Sequence, residues 1–270
     1  MLRTRLITAA VLIPIAVGLV YLGALPYLVL VGGLLSVAEV EFGQLMQRGA
    51  FRPNVALGLG LLWVWLLDAQ FPAWGLLQPG IAAFVLAAMA WHMWHRQGSP
   101  VADWALTVTG GLYLGLCGAC LVRLRALEPD GMWWTFTVLP TIMLADTSAY
   151  LLGRRWGRHK MAPALSPGKT WEGYAAGILT GAVFGALLPA FYRIWAPSGS
   201  ALSSVHGLIL GLVIATVAPL GDFGVSMMKR FVGVKDSGTI IPGHGGALDR
   251  VDSILWAGVI GLYYVLWAVA

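Results

Sequence analysis

Nine stretches of this chain, at about 6–25, 26–46, 55–74, 79–95, 101–122, 132–152, 173–195, 204–221 and 253–270, run roughly 17–25 residues with few charges, the length a helix needs to cross a bilayer. Hydrocarbon offers no water to satisfy backbone N–H and C=O groups, so such stretches must satisfy them internally, as helices. The expected fold is therefore all-α, a polytopic integral membrane helical bundle of about nine transmembrane helices. Composition agrees: 59% of residues are hydrophobic, 11% are charged and mean hydropathy is +0.79, outside the range of soluble globular domains. Thirteen Trp and eight Tyr suit rings anchored at the membrane–water interfaces. The third stretch is the weakest, because Asp68 interrupts it. The first follows Arg3 and Arg5, but its apolar run is long and lacks a small-residue cleavage site, so it reads as a retained helix and not a removed signal peptide.

The formal net charge of +5 is read loop by loop in a membrane protein. No basic stripe with interleaved aromatics occurs, so no nucleic-acid partner is expected. With the N-terminus inside, fourteen of the seventeen Lys and Arg residues fall on the cytoplasmic side, and only Arg123, Arg125 and Arg193 fall outside. Parity is a second argument. The polar segments 153–172 and 222–252 are separated by two spans, so they share a face. The chain accordingly divides into N-terminal transmembrane helices, 1–130, and a C-terminal catalytic region, 131–270.

That shared face holds the chemistry. Asp146 lies inside the sixth span, where a carboxylate is costly and is a functional candidate by default. Asp222 follows the eighth span, and Asp249 sits just before the ninth in KDSGTIIPGHGGALDRVDS, Lys235 to Ser253. Oxygen-only acids separated by glycines, with neither Cys nor paired His beside them, suit a hard cation such as Mg²⁺, which binds one or two carboxylates and completes its shell with water and phosphate oxygens. Lys169, Lys229, Arg230, Lys235 and Arg250 suit phosphate. Gly243, Gly245 and Gly246 would let backbone N–H groups approach an anion, beside the dipole of the last helix. Taken singly, the glycines also read as a plain turn, and Asp249 and Asp252 as ordinary N-terminal helix charge. Together the residues describe phosphoryl or nucleotidyl transfer at a membrane surface.

Other motifs carry less. SPGKT, Ser166 to Thr170, imitates a phosphate-binding loop, but Pro163 stands where its first glycine belongs and no strand is expected before it. Cys117 and Cys120 form a C-x-x-C inside an apolar span with no second pair, which suits buried small residues. His92 and His95 read as interfacial and His206 as a helix-start residue. Glu39 and Glu41, near the end of the second span, either form a salt bridge or border the site.

The run S-x-x-K-R-x-x-x-x-K-D-S-G-x-x-x-P-G-H-G-G-x-x-D-R-x-D, Ser226 to Asp252, resembles the signature of the phosphatidate cytidylyltransferase (CDP-diacylglycerol synthase) family. ADTSAY, from Ala145, and H-K-x-A-P-x-x-S-P-G-K-T-W-E-G, ending at Gly173, are similar to a second conserved region of that family. The resemblance implies an enzyme that joins CTP to phosphatidic acid, giving CDP-diacylglycerol and pyrophosphate, with Mg²⁺ and, in some members, a neighbouring monovalent cation such as K⁺. It implies Asp222 and Asp249 as the metal-binding acids. Lys229, Arg230, Lys235, Asp236, His244 and Arg250 occupy its further catalytic-motif positions. Asp146, Ser166, Lys169, Thr170, Ser226, Gly245 and Gly246 are its substrate-binding candidates. Val225 and Ala247 depart from the pattern, standing where the family usually has an acid and a branched aliphatic residue.

The expected partners are CTP, phosphatidic acid and membrane lipid, with a homodimer compatible, in a cell (inner) membrane with the active site on the cytoplasmic face. Two alternatives remain at this point: a CTP-dependent polyprenol or lipid-alcohol kinase, and an ion-coupled transporter, although transporters tend to show two related halves with broken helices. The topology is directly testable. A reporter fused after Ala270 should signal from the external side, and a cytoplasmic signal would mean that the spans are miscounted.

Overall fold

The computed structural model describes residues 2–95, 98–238 and 245–269. Each of the nine expected stretches is helical there. The elements are α1 (Leu2–Leu22), α2 (Ala24–Arg48), α3 (Val55–Gln70), α4 (Leu77–Trp94), α5 (Pro100–Ala126), α6 (Gly131–Trp156), α7 (Trp171–Tyr192), α8 (Ser204–Val217), α9 (Pro219–Phe231) and α10 (Leu248–Tyr264). Six helical runs among the described residues are long and apolar enough to cross a membrane: α2, α5, α6, α7, α8 continuing into α9, and α10 with its π-helical extension Val265–Val269. The chain is an integral membrane protein built from helices.

Three boundaries differ from expectation, each for a local reason. α3 ends at Gln70, and a 3₁₀ turn, Pro72–Trp74, follows it. Asp68 is no defect in a span, because its Oδ1 accepts the Leu77 N–H at 3.0 Å and so serves the start of α4. The eighth stretch does not stop at residue 221: Pro219 opens α9, which carries helix on to Phe231, so Asp222 lies in a first helical turn and not in a loop. α10 begins at Leu248, five residues early, which puts Asp249 in its first turn. A short antiparallel hairpin, β1 (Lys160–Ala162) and β2 (Ser166–Thr170), also interrupts the helices. Contrary to the sequence reading, a strand does precede SPGKT; those five residues are themselves the second strand, not a glycine-rich loop.

The chain forms two compact units: Met1–Arg123 with Met228–Val251, and Leu124–Met227 with Asp252–Ala270. In the first, the core is aliphatic, with Leu35, Leu45, Leu61, Leu62, Leu66 and Leu114 fully buried. In the second, small residues set the packing. Along α7, Gly173, Gly177, Gly181, Gly185 and Pro189 recur every fourth position on one buried stripe. Gly177 lies against Ala145 and Ala149 of α6, while Gly181 and Gly185 lie against the backbone of α8 at Gly207 and Gly211. Apolar side chains gain little by leaving lipid for protein, so close backbone approach through small residues is what holds such helices together.

A side chain on that stripe has nowhere to go. Gly185→Leu or Gly211→Leu should cost about 1–3 kcal/mol or more through overpacking, read as a lowered melting temperature in detergent. Gly33→Ala, where an added Cβ meets nothing within 4 Å, should leave the melting temperature unchanged or raised. Equal behaviour of all three variants would remove the stripe from the account.

Candidate functional site

In the first unit the polar residues gather where α9 ends and α10 begins. α9 closes with a left-handed turn at Gly233, φ 74°, where the Gly233 N–H donates to Arg230 O at 3.1 Å and the Val234 N–H to Lys229 O at 2.9 Å. This pattern satisfies two end carbonyls and turns the chain sharply back. The returning segment brings Ser237 to the start of α10. Lys229 donates to Asp249 Oδ1 at 2.6 Å, with each side chain only 10% exposed. The Ser237 N–H donates to Asp249 Oδ2 at 2.9 Å, and its hydroxyl lies 3.0 Å from the same oxygen. Both Asp249 oxygens are thus engaged by donors.

Glu41, from α2, completes this group. It is wholly buried. Its Oε2 accepts from the Ser237 hydroxyl at 3.1 Å and from the Leu248 N–H at 3.0 Å, while Oε1 has no hydrogen-bond partner among the described residues. Two motif glycines make room for this carboxylate. A Cβ on Gly238 would strike Glu41, and one on Gly246 would strike Ser237 Oγ and Glu41 Oε2. The close approach at Gly246 is therefore to the protein's own carboxylate. Gly245 has φ 81°, a left-handed conformation that glycine adopts without strain. Among the other candidates, Arg230 donates to Val234 O at 2.8 Å, and Lys235, Asp236 and Arg250 have exposed side chains. His244 and Gly243 lie outside the described residues.

The second unit holds another lysine–carboxylate pair. Lys169, the penultimate residue of β2, sits 2.8 Å from Asp222 Oδ2 in the first turn of α9. Its ammonium also donates to Pro219 O at 3.3 Å and lies 4.1 Å from the centre of the Phe223 ring. Ser226, one turn further along α9, donates to Asp222 Oδ1 at 3.3 Å. Asp146 is exposed on α6, and Asp252, 8% exposed, accepts the Ser253 N–H at 2.6 Å. The charges of Asp146, Asp222 and Asp252 repel one another, and Lys169 offsets them. Val225 is buried at 1% exposure.

The hairpin presents Lys169 because both its ends are fastened. Thr170 is buried and caps α7 by accepting the Gly173 N–H at 3.2 Å, so its hydroxyl oxygen is committed to the fold. Glu172 accepts the N–H groups of Arg158 at 3.1 Å and His159 at 3.2 Å, and pairs with His159 Nδ1 at 2.6 Å. Ser166, half-buried, pairs with Ala162 across the hairpin.

Among the described residues no three His, Cys, Asp or Glu side chains gather as a metal-holding group. The donors present still fit Mg²⁺, since a hard cation that keeps waters and binds phosphates needs only one or two protein carboxylates. Sequence reasoning left two contributors unassigned. Glu41 carried one available signal, as an ionisable residue inside a spanning helix. It and Glu39 are two residues apart and so point in different directions on α2. Glu39 lies near Gly58 and Gly110, and Glu41 near Gly238 and Gly246. Ser237 carried no signal beyond its place in the motif.

Fold and side chains define a polytopic helical membrane protein with lysine–aspartate pairs, whose ammoniums suit phosphate oxygens and whose carboxylates suit hard cations. The sequence profile of the cytidylyltransferase family matches residues 3–268, and the chain belongs to that family. It is similar to phosphatidate cytidylyltransferase of Bacillus subtilis (strain 168), with 30% identity over 98% of this chain and 97% of the relative. Proteins of the same name from Brucella abortus biovar 1 (strain 9-941) and Mycobacterium bovis (strain ATCC BAA-935 / AF2122/97) are also similar. The first is 32% identical over 96% of this chain and 91% of its own length, the second 28% over 94% and 87%.

The two motif glycines should respond differently to a methyl group. Gly245→Ala strains a left-handed residue by about 1–2 kcal/mol. Gly246→Ala must in addition displace Ser237 or Glu41, so it should lower the melting temperature further and reduce turnover. Equal melting temperatures for the two variants would contradict the packing seen around Glu41.

Proposed function

We propose that this protein transfers CMP from CTP to phosphatidic acid, giving CDP-diacylglycerol and pyrophosphate in phospholipid synthesis. The observation that carries this reading is near full-length similarity to phosphatidate cytidylyltransferases from three genera. The ADTSAY, SPGKTWEG and KDSG…GHGGALDR runs of this chain support it.

The reaction needs no activated serine. The phosphate monoester of phosphatidic acid is already anionic near neutral pH, so one of its oxygens attacks the α-phosphorus of CTP. The new P–O bond forms as the bond to the β-phosphate oxygen breaks, and the electron pair leaves with pyrophosphate. The protein must position two anions and balance the charge on the leaving group. Lys169 and Lys229 supply positive charge for phosphate oxygens. Arg230, Lys235 and Arg250 are further cations for the same purpose. Asp222 and Asp249 are each candidate Mg²⁺ ligands, and the cation, when bound, would neutralise phosphate charge and polarise the reacting phosphoryl oxygens. A cytoplasmic face for the site matches the supply of CTP, while the lipid brings its headgroup to the helix ends.

The test is a two-label assay on purified protein. Cytidine-labelled CTP should deliver label to the lipid fraction with one pyrophosphate released per turnover. Transfer of the γ-phosphate instead would establish a kinase and overturn the proposal. Asp222→Asn and Asp249→Asn should each lower turnover by roughly 10²–10³-fold. Asparagine is preferred at 249, because its amide oxygen can still accept from the buried Lys229 ammonium, whereas alanine would leave that ammonium with no acceptor there as well as no counter-charge. Near-normal turnover in either variant would remove that acid from the site.

A further inference from the structure

The motif acid Asp249 does not stand alone. Ser237 has one hydroxyl proton and two carboxylate oxygens within reach, Asp249 Oδ2 at 3.0 Å and Glu41 Oε2 at 3.1 Å. The same Glu41 oxygen holds the N–H of Leu248, the residue before Asp249 in the chain. Glu41 is thus bonded on both sides of Asp249, through the serine that contacts it and through the backbone that carries it. The fold seats a fully buried carboxylate, with one oxygen unbonded among the described residues, against glycines at 238 and 246. A buried polar atom left without a partner is costly and calls for an explanation.

We infer that Glu41 is a positioning residue for Asp249, acting through Ser237 and the first turn of α10; the inference rests on the proposed role of Asp249 as a metal-binding acid. A cation competes with the hydrogen-bond donors already on a carboxylate. Glu41 gives the Ser237 proton a second acceptor, so that the hydroxyl can turn away from Asp249 Oδ2, which keeps the Ser237 N–H, without being left unsatisfied. Its bond to Leu248 meanwhile fixes the turn from which Asp249 projects. Groups that orient a ligand in this way typically change metal affinity or activity by about 10–100-fold when removed.

The test uses Mn²⁺ as a spectroscopic probe. Binding to the full-length protein in detergent is followed by electron paramagnetic resonance for wild type, Glu41→Gln, Ser237→Ala and Asp249→Asn, with a melting temperature for each. Asp249→Asn should abolish the binding seen in wild type. Glu41→Gln and Ser237→Ala should weaken it by about 10–100-fold, with the KM for phosphatidic acid unchanged. Wild-type Mn²⁺ affinity in both variants would overturn the inference, and so would a lowered melting temperature with affinity intact, which is the mark of a purely structural role. If Glu41→Gln does not fold, Ser237→Ala decides alone, since it removes only a hydroxyl. Unchanged Mn²⁺ binding in Asp249→Asn would instead overturn the metal assignment of Asp249 and the inference with it. Absence of cytidylyl transfer by wild type that still binds Mn²⁺ at Asp249 would overturn the proposed reaction and leave the positioning role standing.

Discussion

A buried charge at the end of a spanning helix must find its counterpart within the protein. The Lys229–Asp249 pair meets that demand at 2.6 Å, with both side chains 10% exposed. Neither partner is tolerable alone, because an unpaired buried charge costs several kcal/mol, on the order of 3–5. The pair therefore fixes the last turn of α9 against the first turn of α10. The Gly233 turn and the return to Ser237 bring the chain back to that pair.

The pairing of acids with lysines also bears on the chemistry. Asp222 meets Lys169 at 2.8 Å, so each proposed metal acid already has an ammonium as its counter-charge. Such a cation orients the carboxylate while leaving it exchangeable, because lysine makes point contacts and does not clamp both oxygens as arginine can. When triphosphate enters, the same lysines have anionic oxygens to turn to. The fasteners of the β1–β2 hairpin, Thr170 and Glu172, matter here because they hold the strand that presents Lys169.

Much of this was legible in the sequence, and the reason is the solvent. Lipid imposes one secondary structure on any long apolar run, so each of the nine stretches is a helix. The motif likewise pointed to Asp222, Asp249 and their lysines. What escaped was whatever depends on one local group answering another. Asp68 looked like a break in a span and is an acceptor for the start of α4. SPGKT imitated a nucleotide loop and is a strand ending in a helix cap. Gly246 read as a place for an anion to approach, yet the atoms nearest its Cα direction belong to Ser237 and Glu41. Glu41 was read as either forming a salt bridge or bordering the site, and nothing in α2 names a partner two hundred residues away.

That separation has a consequence for biogenesis. The Glu41–Leu248 bond spans 207 positions, so α2 emerges from the ribosome long before its partners are made. Until the C-terminal helix arrives, the Glu41 carboxylate must remain hydrated near the headgroups or be shielded by the insertion machinery, because unpaired charge is poorly tolerated in hydrocarbon. The second helix can therefore make this contact only once the chain is nearly finished. A truncated product lacking the last helix would leave the Glu41 carboxylate without the N–H that it accepts from Leu248 in the finished fold.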